Sequence, residues 1–325
     1  GYIDVLKKIF RLLFLRNNII NYFLHQKPDI FIGIDAPDFN FLIEKELKLN
    51  NIPTFHYVAP SVWAWRSGRL DTIKDNIDHL FSVFPHELKI FRNAKVPVTF
   101  VGHPLANKIP LNPSMRMGRN LLNLDAHKKI IALLPGSRLS EVRYHLDLMI
   151  NTAILINIKF ISLKLKAPDF IIPLNSKDNH NYVTKCLNAY SDKINNIRLV
   201  YGHSHDAICS SNLIIAVSGT ATLEAALFKK PMIIVYKTSA LSWLIFKSML
   251  LIPYIGLPNI LLKKFVVPEF LQNKASPENI SKKAISILDD KKLQNELKSM
   301  FRVLHIKLKR NSSEIIYKKI IKYLK

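Results

Sequence analysis

The sequence predicts an α/β protein made of two doubly wound parallel-sheet domains, followed by a helical C-terminal tail. Three observations carry this. Short apolar strand patterns alternate with helical patterns almost throughout the 325 residues. Two strands, Ile130-Ile131-Ala132-Leu133-Leu134 and Leu213-Ile214-Ile215-Ala216-Val217, run straight into turns of small residues and then into helices. The polar clusters of the first half fall just after its strand patterns, where ligands of such sheets bind. The length suffices for two domains of ordinary size.

Taken in order, residues 29–35 read as a strand, 41–49 as a helix, 54–58 and 79–83 as strands, and 87–92 as a helix. The strand at 99–102 closes this half, so a first domain is placed at 1–103. The proline-rich run 104–113 reads as a linker. A second domain, 114–300, opens with the Ile130 strand and continues with strands at 169–172, 197–200, 213–217 and 232–235. From Pro277 onward the pattern is helical, with Ser276 as N-cap and Pro277 in the first helical position. The tail, 301–325, carries eight Lys and Arg against Glu314, with Ile316, Ile320, Ile321 and Leu324 at helical intervals. It returns to the first domain or reaches a partner subunit. The most apolar stretch, 239–262, is broken by Lys247, Pro253, Gly256, Pro258 and Asn259, which predicts a buried helix and a loop rather than a membrane span.

The 47 Lys and Arg against 24 Asp and Glu give a formal charge of +23. That charge is spread along the chain, and no module for RNA or DNA is recognisable, so nucleic acid is not expected as a partner. An anionic membrane surface accounts for part of it. The abundance of Lys, Ile and Asn, as in AT-rich genomes, accounts for the rest. Cys186 and Cys209 have neither metal-ligand nor disulfide spacing, which fits a reducing cytoplasm. No Cys/His cluster suggests a metal. The chain starts at Gly1, and nothing there has the form of a signal peptide.

The turn Pro135-Gly136-Ser137-Arg138 puts a glycine, a hydroxyl and a fixed cation at a strand-to-helix junction. Backbone N–H groups and the helix dipole favour an anion there. Gly136 lets the backbone approach, and Arg138 can fork two phosphate oxygens, although a turn glycine beside a surface arginine would read the same. Ser218-Gly219-Thr220 repeats the arrangement after the Leu213 strand. Glu224, in the helix that follows, would repel phosphate; it holds sugar or ribose hydroxyls, or stabilises its own helix dipole. Two such turns suggest a diphosphate and a sugar gripped between them.

Six strings in order resemble one family: GIDAPDFN (33–40), YVAPSVWAWR (57–66), FVGHPL (100–105), LLPGSR with Glu141 close behind, SGTATLEAAL (218–227) and LPNIL (257–261). The chain resembles the lipid-A-disaccharide synthases over essentially its whole length. The DAPD turn and the tryptophan-rich string are specific to that family, whereas LPGSR and SGTATLE are shared with other two-domain glycosyltransferases. The resemblance implies a GT-B fold, with two Rossmann-like domains facing a cleft. It implies a hexosyltransferase of lipid A biosynthesis that moves 2,3-diacylglucosamine from UDP to 2,3-diacylglucosamine 1-phosphate. The products are the β-1,6-linked disaccharide and UDP; the UDP-sugar is a substrate, and no cofactor or metal is needed. A cytoplasmic, peripheral place on the anionic inner-membrane surface is implied as well, as are homodimers that exchange C-terminal parts. The family's early string A-G-E-x-S-G-D does not occur here, so the first strand and glycine-rich turn of that domain are missing from the sequence. Two alternatives follow: an inactive membrane-binding remnant, or another UDP-sugar transferase or epimerase of the same build.

Making a β-linkage from an α-linked UDP-sugar takes one in-line displacement, a base for the acceptor hydroxyl and a cation for the departing diphosphate. Asp38 matches the family's essential acid and is the candidate base; a cap for the next helix is its other reading. Asp35 reads as a structural hydrogen-bond acceptor. Gly136, Ser137, Arg138, Ser218, Gly219 and Thr220 are assigned to the diphosphate, and Glu224 and Asn259 match nucleotide-holding positions of the family. Asn259 alone would pass as a helix cap. Glu141 orients the Arg138 guanidinium or is a solvated helix charge. Trp63 and Trp65, with Arg66, form an apolar wall on the acceptor side or belong to the core. His56 and His103 fall nearby, each readable as a structurally satisfied histidine and His103 also as a ligand contact, and Gln272 is placed on the nucleotide sugar.

Acylated substrates require a meeting with a bilayer. Leu6, Ile9, Phe10, Leu13 and Phe14 lie on one side of a helix, accompanied by Lys7, Lys8, Arg11 and Arg16. That is the pattern of an interfacial helix; a terminal helix packed on the sheet is the alternative.

Overall fold

The computed structural model describes residues 2–60, 70–249 and 252–324. They divide into two compact units, one from Gly1–Asn107 with Leu308–Lys325, the other from Lys108–Ser248 with Ile252–Lys307.

The first unit runs α1 (Tyr2–Gln26), β1 (Phe31–Ile34), α2 (Pro37–Leu49), β2 (Thr54–Tyr57), α3 (Leu70–Asn76), β3 (His79–Ser82), α4 (Glu87–Asn93), β4 (Val98–Phe100) and α5 (Pro104–Lys108). Part of the run read as a linker is thus helical. The four strands are parallel in the order β1-β2-β3-β4. Neighbours in a strand feed opposite faces: Leu80 packs with Phe41, Ile73, Ile77 and Phe91, whereas Phe81 packs with Phe55 and Val101. A parallel sheet covered on both faces needs that supply. Toward its end α1 lays Ile19, Ile20, Phe23 and Leu24 on Ile43, Leu47 and Ile52. Nearer its start, Phe10 and Phe14 are 67% and 69% exposed.

The second unit holds α6 (Met115–Leu121), β5 (Ile130–Leu134), α7 (Leu139–Ser162), β6 (Asp169–Leu174), α8 (Lys177–Asn188), β7 (Ile197–Tyr201), α9 (Ser204–Ser210) and β8 (Leu213–Val217). It continues with α10 (Thr220–Leu227), β9 (Met232–Tyr236), α11 (Ala240–Met249), α12 (Leu257–Leu262), β10 (Glu269–Leu271), α13 (Pro277–Asp289) and α14 (Lys291–Leu308). All six strands are parallel, in the order β10-β9-β8-β5-β6-β7. The chain enters mid-sheet at β5, winds out to β7, then returns to β8 on the other side. Ser276 caps α13 by accepting from the Asn279 N–H. One expectation fails: the helix read as buried within 239–262 is α11, whose Leu244 is 66% exposed. Apolar composition alone does not assign burial. No helix of the described residues is long and apolar enough to cross a membrane.

The tail helix α15 (Ser312–Leu324) lies in the first unit. Its Ile315, Ile316 and Ile320 cover Phe55, Phe81 and Val101, and Tyr323 meets Phe55 edge-on at 4.9 Å. Ser312 Oγ donates to the Val101 carbonyl at 2.8 Å.

Under this helix, His79 is buried, its Nε2 2.9 Å from Thr99 Oγ1. Burial, and secondarily the Lys319 charge, push its pKa down from 6.5 to about 4. The sign follows: the native fold resists protonating His79, so this contribution to stability is whole above pH 6.5. It is lost as pH falls through the native value, a change of about 3 kcal/mol. Urea midpoints measured from pH 7 to pH 4 are expected to fall less in a His79→Gln variant than in the wild type; equal slopes would contradict this.

Candidate active site

In the second unit the strand order reverses between β5 and β8, which pair through Leu134 and Ala216. Ligands of doubly wound sheets bind outside the carboxyl ends at such a switch point. The two turns singled out in the sequence leave from these two strands, so the topology sets them side by side.

Gly136 has φ +121°, and a Cβ there would stand 2.5 Å from Cβ of Glu141, so only glycine fits. Glu141 Oε2 accepts the backbone N–H groups of Ser137 (2.9 Å) and Arg138 (3.2 Å), and its Oε1 accepts from Arg138 Nη1 (3.0 Å). The helix start therefore holds a carboxylate of its own in a capping box, with N–H groups, guanidinium and dipole converging on one anion. The Arg138 side chain is otherwise 80% exposed. Asn179 Nδ2 donates to the Ser137 carbonyl at 2.9 Å and fixes the turn from the side.

His145, which the sequence reading passed over, sits one turn along α7. Its Nδ1 donates to the Glu141 carbonyl (2.7 Å) and its Nε2 accepts the Lys237 N–H (2.9 Å), which assigns the neutral tautomer with its proton on Nδ1. Burial holds its pKa below the ordinary value, so it stays a neutral tie between α7 and the end of β9. Its signal was the four-residue step from Glu141.

On the β8 side, Gly219 and Thr220 are exposed, and Ser218 Oγ donates to the Ile255 carbonyl at 2.7 Å. Glu224 is half-buried, 3.4 Å from His205 Nε2. Asn259 departs from its expected place on the nucleotide. It is fully buried: Nδ2 donates to the Val267 carbonyl (2.9 Å) and Glu269 Oε1 (2.7 Å), while Oδ1 accepts from the Val266 (2.8 Å) and Val267 (3.0 Å) N–H groups. Its hydrogen-bonding capacity is spent inside the fold, so it shapes the loop instead. Glu269, also missed, accepts from the Ile255 (3.0 Å) and Gly256 (2.9 Å) N–H groups and anchors the segment that Ser218 reaches. Burial raises its pKa against these donors. Gln272 is half-buried just after β10. Its amide clamps both backbone groups of Thr238, accepting at 2.9 Å and donating at 3.1 Å.

Left-handed backbone recurs at the carboxyl edge of the first sheet. Asp35 (φ +52°) and Ala36 (φ +42°) follow β1 and Val58 (φ +78°) follows β2, whereas Gly102 (φ +87°), after β4, takes a conformation glycine adopts freely. For a β-branched Val this is a clear outlier, and such strain gathers where geometry serves function. Asn40 Nδ2 staples the first of these turns by donating to the Asp35 carbonyl (2.7 Å) and the Ile34 carbonyl (3.2 Å). Asp35 is thus the structural hydrogen-bond acceptor the sequence predicts, through its backbone carbonyl. Asp38 is exposed in the first turn of α2, whose N-cap position is held by Ala36.

Behind Asp38, Glu44 and His56 are both fully buried, with Oε1 and Nδ1 2.7 Å apart. A Cβ on Gly33 would lie 2.0 Å from Glu44 Oε1, so that glycine makes room for the pair. Glu44 Oε2 and His56 Nε2 are buried without a partner among the described residues. His103 accepts the Leu105 N–H on Nδ1 (3.2 Å) and stands 5.2 Å from the Phe84 ring, which gives it a structural place at the end of β4. Trp63, Trp65 and Arg66 lie outside the described residues. Among the described residues no group of three or more His, Cys, Asp or Glu could hold a metal ion.

Two parallel sheets with helices, the first in chain order and the second wound both ways from β5, with the C-terminal helix in the first unit, give the fold of the GT-B glycosyltransferases. Its relatives in three dimensions share the fold alone. The UDP-GlcNAc 2-epimerase from Neisseria meningitidis bound to UDP-GlcNAc matches with TM-score 0.58 and 14% identity, over 96% of this chain and 82% of that one. MurG from Acinetobacter baumannii matches with TM-score 0.55 and 17% identity, over 96% and 79%. Sequence goes further. The model of the family "Lipid-A-disaccharide synthetase" matches residues 1–320. The lipid-A-disaccharide synthase of Methylobacillus flagellatus is 42% identical over 325 residues, all of this chain and 85% of that protein. That of Chromobacterium violaceum is 40% identical over 313 residues, 96% of this chain and 80% of its own length. The chain belongs to the lipid-A-disaccharide synthetase family and is a glycosyltransferase of lipid A biosynthesis.

Proposed function

We propose that Asp38 is the base that takes the proton from the acceptor's 6-hydroxyl, and that the β5–α7 turn cradles the diphosphate as UDP departs. The transfer is that of 2,3-diacylglucosamine from UDP to 2,3-diacylglucosamine 1-phosphate. The observation that carries the second role is the donor set that converges on the Glu141 carboxylate. A diphosphate brings more charge and more oxygens than that carboxylate. It takes over the Ser137 and Arg138 N–H groups and leaves the guanidinium to bridge its oxygens. Gly219 and Thr220, one strand over, add donors at the start of α10, and Glu224 takes hydroxyls of the sugar or ribose. Charge on the leaving group is thus met by protein groups, and no cofactor is proposed.

Gly136→Ala tests the cradle. The new Cβ would collide with Glu141 and force a left-handed φ on an L-residue. The KM for the UDP-sugar is expected to rise roughly tenfold or more, the equivalent of about 1.4 kcal/mol, with a smaller change in kcat. Steady-state kinetics with the UDP-sugar varied reads this directly, and an unchanged KM removes the turn from the site.

The start of α1 is assigned to an anionic bilayer. Phe10 and Phe14 are exposed on a helix that carries Lys7, Lys8, Arg11 and Arg16. Reversing the charge at Lys7, Lys8 and Arg11 forfeits about 1 kcal/mol per residue, so binding to phosphatidylglycerol vesicles should weaken by about 100-fold or more. Unchanged co-sedimentation would remove this role.

A further inference from the structure

A second cationic site lies at the opposite edge of the second sheet, away from the turns after β5 and β8. A cavity of about 330 Å³ opens there beside Asn212 and Pro231, the residues that precede β8 and β9. Lys230, Lys298 and Arg302 line it, and no Asp or Glu does.

Lys230 is the unusual member. It is 6% exposed, yet its ammonium donates no hydrogen bond to any described residue. Its neighbour Lys229 differs: that ammonium is spent on the Leu227 carbonyl (2.5 Å), the Pro110 carbonyl (3.3 Å) and His305 Nδ1 (2.6 Å). Burial, with the charges of Arg119 and Lys298 opposed by the Cys209 thiol, pushes the Lys230 pKa down to about 8. Arg119 offers no relief, because its guanidinium is bound by carbonyl oxygens of Ser210, Asp125 and Ala126 and by Asn212 Oδ1. Lys298 and Arg302 stand four residues apart on α14, where like charges repel across one turn. A largely buried lysine whose ammonium has no hydrogen-bond partner among the described residues is costly, and the Lys298 charge adds to the cost. An anion seated among the three would remove each of these penalties at once.

We propose that this cavity is an anion site distinct from the donor turn, and that it takes a phosphate group through Lys230, Lys298 and Arg302. Arg302 already holds Asn112 Oδ1 with Nη1 at 2.7 Å, which orients its fork at the rim. The phosphate has two sources, free phosphate and the headgroup of an anionic phospholipid, and the same side chains serve either.

The test uses the full chain. Thermal unfolding is followed in inorganic phosphate and in chloride at matched ionic strength. Phosphate at about a hundred times its dissociation constant should raise the midpoint of the wild type by roughly 5–10 °C. Arg138→Gln should keep that shift, since it touches only the donor turn. Lys298→Gln/Arg302→Gln, at exposed positions, should lose most of it. Lys230→Met should lose it too, while unfolding no earlier than the wild type in chloride, because the substitution removes a poorly solvated charge. Loss of the phosphate shift together with weaker phosphatidylglycerol-vesicle binding by Lys298→Gln/Arg302→Gln would identify the lipid source. Loss of the shift with vesicle binding unchanged would identify free phosphate. No shift in the wild type, or a full shift in Lys298→Gln/Arg302→Gln, would overturn the proposal.

Discussion

Asp38→Ala is expected to lower kcat by roughly 10²–10⁴-fold, the usual contribution of a positioned general base, while the KM for the UDP-sugar changes little. The geometry motivates this split. Asp38 sits in the first turn of a helix whose start is forced into place by two consecutive left-handed residues and the Asn40 staple. The N-cap position itself belongs to Ala36. Strain of this kind is kept where a side chain must be aimed. Asp38→Asn preserves shape but cannot accept the proton, so it should be as slow as the alanine variant. Its rate should climb with pH as hydroxide in solution replaces the lost base. A modest fall in kcat, or a large rise in donor KM with kcat intact, would assign Asp38 to binding instead.

His56→Ala should strongly destabilise the first unit. Glu44 and His56 pin α2, which carries Asp38, to β2, whose end carries the strained Val58. Burial outweighs the hydrogen bond and charge of His56 and already holds the Glu44 pKa above its ordinary value. Removing the imidazole leaves that carboxyl without its only partner among the described residues. Breaking one side of such a buried pair costs about 3–5 kcal/mol. The unfolding midpoint of this unit should fall by roughly 10 °C or more. The sign of the pH effect is fixed by the raised carboxyl pKa: the native state keeps that proton more readily than the unfolded chain. The loss should therefore be smaller below the ordinary carboxylate range and grow as pH rises through the native value. Replacing both partners, as Glu44→Met/His56→Leu, should recover much of the stability, because shape is kept and no orphaned charge remains. A His56→Ala variant as stable as the wild type would show that the pair holds nothing.

What the sequence reveals follows from how local each signal is. Strands β5 and β8 are buried along their whole length and read as unbroken apolar runs, so their ends, and the turns between strand and helix, could be placed from residues 130–138 and 213–220 alone. Asn259 could not be placed this way. The groups that exhaust its amide, Val266, Val267 and Glu269, come 7 to 10 residues later and meet it only once the segment has folded back. Glu44 and His56 look like ordinary polar residues on a helix and a strand. The available clue was Glu44's place three residues after Phe41 and three before Leu47, on the buried stripe of α2. Apolar composition over 239–262 misled in the other direction, since hydropathy reports no partner and Leu244 is left exposed.

One assay bears on the whole picture: UDP and disaccharide counted together when the protein meets UDP-2,3-diacylglucosamine and 2,3-diacylglucosamine 1-phosphate in mixed micelles. One UDP per β-1,6-linked disaccharide phosphate, with no UDP formed when the acceptor is left out, is the expected result. UDP release that ignores the acceptor, or a UDP-sugar returned with its C2 configuration inverted, would contradict it.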